Sequence, residues 1–211
     1  DTTTIYYTTT DGEIVNSEYL SIKENTYIDG QGKMVICGKM EKLPRYAFSS
    51  AKNLVSIIIP DGVTSVEMGA FAYSINLESV TMPDSLTYIG DDAFYDCSKL
   101  TSITIPENVT DIGFAAFGNC SNLKEFKGKF VENGGNIVIV NNKLIAAAPK
   151  SAISNYTIPE YVTIIGDNAF NGCESLTNVT IPDSVTSIGN DAFYACQNLN
   201  SIVVGRGVEE I

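Results

Sequence analysis

Histidine is missing from all 211 residues of the chain. Imidazole is the usual general base near neutral pH and the commonest metal ligand, so this absence carries weight. Ser-His-Asp and Cys-His catalysis and mixed Cys/His zinc sites are excluded within this chain. Carboxylate-pair and lysine-based chemistry remain, yet no localised pair of carboxylates and no phosphate-binding loop stands out. Long apolar runs are absent too. The longest, such as Val55-Ser56-Ile57-Ile58-Ile59 and Ile137-Val138-Ile139-Val140, fall far short of the ~20 residues that span a bilayer. No charged-then-apolar leader opens the chain at Asp1, so either the protein stays in the cytoplasm or an export signal preceded this sequence.

Positive charge is scarce: 13 Lys and Arg stand against 25 Asp and Glu, for a net charge of −12. Such a surface repels phosphate backbones and makes nucleic acid a poor partner, while keeping a strand-rich rod soluble. Cysteines number five. Cys97, Cys120, Cys173 and Cys196 lie 23, 53 and 23 residues apart, which is no zinc spacing. They read as a ladder of small, buried, reduced thiols, with a disulfide between neighbouring coils as the alternative. Cys37 lies outside that spacing. No cofactor is expected.

What the chain has instead is repetition. Ala-Phe recurs at Ala47-Phe48, Ala70-Phe71, Ala93-Phe94, Ala116-Phe117, Ala169-Phe170 and Ala192-Phe193, in steps of 23 residues and one of 53. A fixed period in the twenties marks a solenoid, in which each unit buries its apolar face only against its neighbours. Leu100, Ile103 and Ile105 end in period-2 alternation, the pattern of a short strand with one buried face. Proline ends that strand at Pro60, Pro83, Pro106, Pro159 and Pro182, since it offers no donor to a ladder. A second short strand follows, as at Val109-Thr110-Asp111-Ile112. Gly90, Gly113, Gly166 and Gly189 then predict a corner with positive φ. Ala-Phe predicts a short helical turn whose rings stack into an interior aromatic spine, each burial being worth ~1.5–3 kcal/mol.

The run Leu-x-x-Ile-x-Ile-Pro-x-x-Val-Thr-x-Ile-Gly-x-x-Ala-Phe-x-x-Cys stands nearly complete in Leu100–Cys120 and Leu176–Cys196. It resembles the BspA-like class of bacterial leucine-rich repeat, over roughly Lys42 to Ile211. Departures are few: Pro44 and Glu67 stand where later units have glycine, and Ala51 and Ser74 where they have cysteine. The resemblance implies a leucine-rich-repeat right-handed superhelix, β-rich with short helical turns. It also implies a secreted or cell-surface protein without enzymatic activity, binding protein ligands in adhesion to host matrix or neighbouring cells. The alternative is a glycan-binding or cell-envelope scaffolding protein.

Residues 1–41 lack the unit and read as β-hairpins that form an N-terminal β cap, or else a separate small binding module. Residues 42–211 form the solenoid. A hairpin insertion at about 124–153 is marked by Ile137–Val140, the turn Asn141-Asn142 and Lys143-Leu144-Ile145. It either contributes to binding or simply extends one coil. Val208 and Ile211 fall in register with Val185 and Ile188, so the last unit is unfinished and the native protein is expected to continue.

Two columns of side chains are candidates for function. The first lies between the buried residues of each main strand: Ile58, Thr81, Thr104, Lys127, Thr157, Thr180 and Val203. The resemblance places this column on the inner, concave face where partners dock, although Thr and Val also simply favour strands. The second follows the prolines, at Asp61, Asp84, Glu107, Glu160 and Asp183. Oxygen ligands suit Ca²⁺, but Pro-Asp is ordinary turn chemistry and is the preferred reading. The tyrosines form no platform in the sequence, the Tyr6-Tyr7 pair being the best exception for a glycan.

Overall fold

A computed structural model describes residues 1–210; Ile211, and with it the expected register against Ile188, lies outside the described residues. Three strands open the chain: β1 (Thr2–Thr9), β2 (Ile22–Ile28) and β3 (Gln31–Cys37). Two-residue strands then alternate with longer ones: β4 (Lys42–Leu43), β5 (Leu54–Ile58), β6 (Ser65–Val66), β7 (Ser79–Thr81), β8 (Tyr88–Ile89), β9 (Ser102–Ile105) and β10 (Asp111–Ile112). Next come β11 (Glu125–Gly128), β12 (Val131–Glu132), a single 3-10 turn at Asn133–Gly135, β13 (Ile137–Val140) and β14 (Lys143–Ala147). The alternation resumes with β15 (Asn155–Thr157), β16 (Ile164–Ile165), β17 (Asn178–Ile181), β18 (Ser187–Ile188) and β19 (Ser201–Val204).

Together they make a β-solenoid of about seven turns with almost no helix. Long strands pair in parallel with the next long strand, as in Ile57↔Val80 and Ile103↔Phe126. Short strands do the same along another side, in the order β4-β6-β8-β10. Each coil therefore satisfies its backbone groups mainly on its neighbours, which is how a solenoid propagates.

The spine is present. Phe48, Phe71, Phe94 and Phe117 stack at centroid distances of 5.6, 5.2 and 5.7 Å, with planes within 11° of one another. Phe170 and Phe193 repeat the arrangement at 5.1 Å. Between the two stacks the insertion supplies Phe126, which meets Phe117 edge-on at 5.4 Å. Beside the spine, small donors tie coil to coil. Cys97 Sγ donates to the Phe71 carbonyl at 3.3 Å and Cys120 Sγ to that of Phe94 at 3.1 Å. Ser74 Oγ makes the same bond to Phe48 at 2.6 Å, which explains why serine can stand there. All five thiols are free, and burial pushes that of Cys120 up to about 12.

Two details differ from the sequence reading. The helical turns resolve as separate turns closed by bonds such as Ala70 N→Glu67 O and Ala72 N→Gly69 O. Left-handed residues frame each one. They fall just before the alanine (Tyr46, Gly69, Asp92, Ala115, Asn168, Asp191) and two after the phenylalanine (Ser50, Tyr73, Asp96, Asn119, Gly172, Ala195). The corner glycines, by contrast, are not left-handed. They are small because the preceding coil leaves no room: a Cβ on Gly113 would stand 2.4 Å from Asp91 N, and one on Gly189 2.5 Å from Asp167 N.

At the N-terminus β1 runs antiparallel to both β3 and β5, so it covers the edge of the first long strand. At the insertion, β13 and β14 form an antiparallel hairpin around Asn141 and Asn142, whose φ values of 50° and 64° suit a type I′ turn. β14 then pairs in parallel with β16, taking the place of one coil's short strand. All four residues of β13 are buried. Val138 and Val140 enter the core built on coils before the insertion, while Ile137 and Ile139 enter the core after it.

Candidate functional site

Alternation within the long strands sends Ile57 and Ile59 inward and leaves Ile58 facing solvent, 47% exposed. The same rule exposes Thr81, Thr104, Lys127, Thr157 and Thr180. Val203 is 58% exposed, but every residue of β19, the outer strand of its sheet, is exposed as well. The seven candidates thus share one strand face, and the ladders place neighbours side by side. Ile58 pairs with Thr81, Thr104 with Lys127, and Thr157 with Thr180, which pairs in turn with Val203. The seven do not form one unbroken ladder. Among the described residues no named ladder joins β7 to β9, and β11 pairs only with β9 before the chain leaves into the insertion.

Beside the column runs Ser56, Ser79 and Ser102, then Glu125, Asn178 and Ser201. Lys127 meets Glu125 at 2.7 Å. Both groups are exposed, so this pair adds little stability and stays available to a partner. Asn178 Nδ2 donates to Asn155 Oδ1 at 2.6 Å, which fixes two amides in line.

The cap contributes a residue that the sequence reading did not place here. Tyr6 lies opposite Ile58 and is 40% exposed, so it extends the strand face by one aromatic side chain. Tyr7 is buried, its phenol donating to Asn25 Oδ1 at 2.6 Å. The Tyr6-Tyr7 pair is therefore no platform, because adjacent strand residues face opposite ways. Period-2 alternation over Thr2–Thr9 was the signal that could have separated them. On the proline column, Asp183 Oδ1 accepts the Arg206 amide at 2.7 Å, which is turn chemistry between coils.

A separate open cleft of about 600 Å³ lies beside the insertion, lined by Phe114, Ile164, Asp167, Ser187, Asn190 and Glu209 among others. Lys143 Nζ sits 5.0 Å from the centre of the Phe114 ring at its rim.

The profile of the BspA type leucine-rich repeat region matches in six copies, over residues 32–142 and 148–211. The chain belongs to this family. A leucine-rich cell surface protein of Faecalibacterium prausnitzii A2-165 is similar to this BspA-type repeat protein at 34% identity and a TM-score of 0.68. That match covers 77% of this chain and 44% of the other. The pneumococcal vaccine antigen PcpA shares the fold at 23% identity and a TM-score of 0.64, over 74% of this chain and 40% of its own. A leucine-rich repeat protein of Eubacterium ventriosum does so at 21% identity and a TM-score of 0.55, over 80% and 58%. This chain thus spans less than half of the first two solved proteins. No curated protein matches it. Among the described residues no helix is long and apolar enough to cross a membrane.

Proposed function

We propose that this BspA-type repeat protein is a cell-surface or secreted binding module that docks a protein ligand on its strand face, in adhesion to host matrix or neighbouring-cell proteins. The observation that supports this is the exposed column Ile58, Thr81, Thr104, Lys127, Thr157, Thr180 and Val203, extended by Tyr6. Apart from Lys127 and Tyr6, its side chains are short, and all stand on a stacked, buried core. Little conformational entropy is then lost on binding, and rigid presentation of this kind favours affinity. Tyr6 and Ile58 at one end of the column and Val203 at the other supply apolar contacts, and the threonines and Lys127 between them polar ones. In this reading residues 1–41 act as the cap that closes the first coil. The relative's description as a cell surface protein motivates the location.

Surface plasmon resonance over immobilised fibronectin, laminin, collagen and fibrinogen tests the proposal. Binding should be lost in the double variant Thr104→Arg, Thr180→Arg, which places bulk and charge on the face without touching the core. Absence of binding to the whole panel at micromolar concentration, or binding indifferent to the double variant, would count against it.

A further inference from the structure

Two tyrosines occupy backbone positions that suit them badly. Tyr46 has φ 58° and Tyr73 φ 62°, at the two framing positions where other coils place mostly Gly, Ala, Ser, Asp or Asn. A bulky side chain in the left-handed region is strained, and strain of this kind concentrates where function requires it. The rings are 42% and 50% exposed, so core packing does not account for them. Each has an aromatic neighbour, one from the cap and one from the next turn of the stack. Tyr19 meets Tyr46 at 6.3 Å and 52°, and Tyr95 meets Tyr73 at 5.6 Å and 68°. Neither pair is parallel.

Tyr19 and Tyr46 line a shallow cleft of about 280 Å³, completed by Asn16, Ser17, Glu18, Ala47 and Ser49. We propose that this cleft binds a neutral saccharide. A pyranose presents a C–H face that lies against an aromatic ring and a rim of hydroxyls that need donors and acceptors. The cleft offers both. Tyr46 is held in place, its ring lying over Gly69, where a Cβ would come within 2.5 Å of it, and its phenol bonding Met68 Sδ at 3.4 Å. Asn16 supplies an amide and Glu18 a carboxylate. Ser49 Oγ spends its proton on the Ala72 carbonyl at 3.1 Å and so presents an acceptor.

The lining argues against a protein anchor here. Ala47 is its one aliphatic side chain, whereas a hot-spot pocket is largely apolar. Glu18 and the net charge of −12 disfavour sulfated or acidic sugars. The Tyr73–Tyr95 pair lies in the next coils along the axis. The Phe stack rises there by 5.2–5.7 Å per coil, comparable to one residue of an equatorially linked pyranose chain.

Saturation-transfer NMR and calorimetric titration with chitotetraose, cellotetraose and maltotetraose test this, with a heparin tetrasaccharide as the anionic control. Tyr46→Asn is the decisive variant, since asparagine tolerates the left-handed backbone, and a thermal melt shows that the fold is kept. At least one neutral tetrasaccharide should bind, about tenfold or more weakly in Tyr46→Asn and Tyr19→Ala than in the parent. Tyr194→Ala, on a distant coil, should leave binding unchanged. Absence of binding by all three neutral sugars, or binding that survives both variants, overturns the proposal. Loss of a protein ligand rather than of the sugars in Tyr46→Asn would reassign the cleft as a protein hot spot. None of these outcomes depends on the strand face, whose own variant leaves the cleft untouched.

Discussion

The amide of Phe114 donates to Asp91 Oδ1 at 2.8 Å across adjacent coils, and Gly113 lies directly against the same aspartate. Asp167 and the amide of Asn190 repeat the bond at 2.6 Å beside Gly189. Coil spacing is therefore set at this corner by close main-chain approach and by a carboxylate that accepts from the next coil's amide.

Gly113→Ala should destabilise the protein by about 1–3 kcal/mol, because the added methyl meets main chain that cannot step aside. Gly166→Ala should cost less, as its nearest neighbour, the Leu144 carbonyl, is 3.1 Å from the new atom. Urea denaturation of the two variants checks the order; equal stabilities would contradict the packing argument.

Phe94→Ala should cost about 3–5 kcal/mol, since it opens a void between two stacked rings. Phe193 stacks on Phe170 and is only half-buried. Its replacement by alanine should cost markedly less. Thermal unfolding of both variants gives the comparison.

A thiol reagent at mildly alkaline pH should label Cys37 quickly, because it is exposed. Cys196, half-buried, should follow slowly. Cys97, Cys120 and Cys173 should react only on unfolding, since burial raises the pKa of each and withholds the thiolate. Mass mapping of labelled peptides over time reads this directly, and early labelling of Cys120 would refute it.

Burial, and then the charges of Asp91 and Asp167, push the Asp92 carboxyl above its ordinary value. The folded state thus holds this proton more tightly than the unfolded chain does. Stability from this group is present at acid pH and is lost as pH rises through the raised value. Asp92→Asn should therefore raise Tm at pH 7, with a gain that vanishes below about pH 4. Asparagine also suits the left-handed backbone, as Asn168 does at the equivalent position. A melt series across pH is the measurement.

Much of the coil was legible because its constraints repeat. Leu100, Ile103 and Phe117 recur in type at every step, so strand, spine and period announce themselves. Other constraints do not fix a residue type. The left-handed positions hold Tyr, Gly, Asp, Ala, Asn and Ser in turn, and no pattern marks them. Gly113 shows in the sequence that a small residue is required but not why, since positive φ and close approach both select glycine. The strand face was readable up to its pairing. That β11 leaves the ladder after Lys127 follows from where the insertion packs, and alternation alone is silent on that. Tyr46 and Tyr19 lie 27 residues apart, and only the fold brings their rings together.

The hairpin of β13 and β14 acts as a partition between two compartments, with Val138 and Val140 on one side and Ile137 and Ile139 on the other. A slip of one residue along β13 would exchange the two sets and misfile both compartments at once. The pairing of Val140 with Lys143 around Asn141-Asn142 prevents that exchange. Two asparagines thus decide which compartment each side chain of β13 enters.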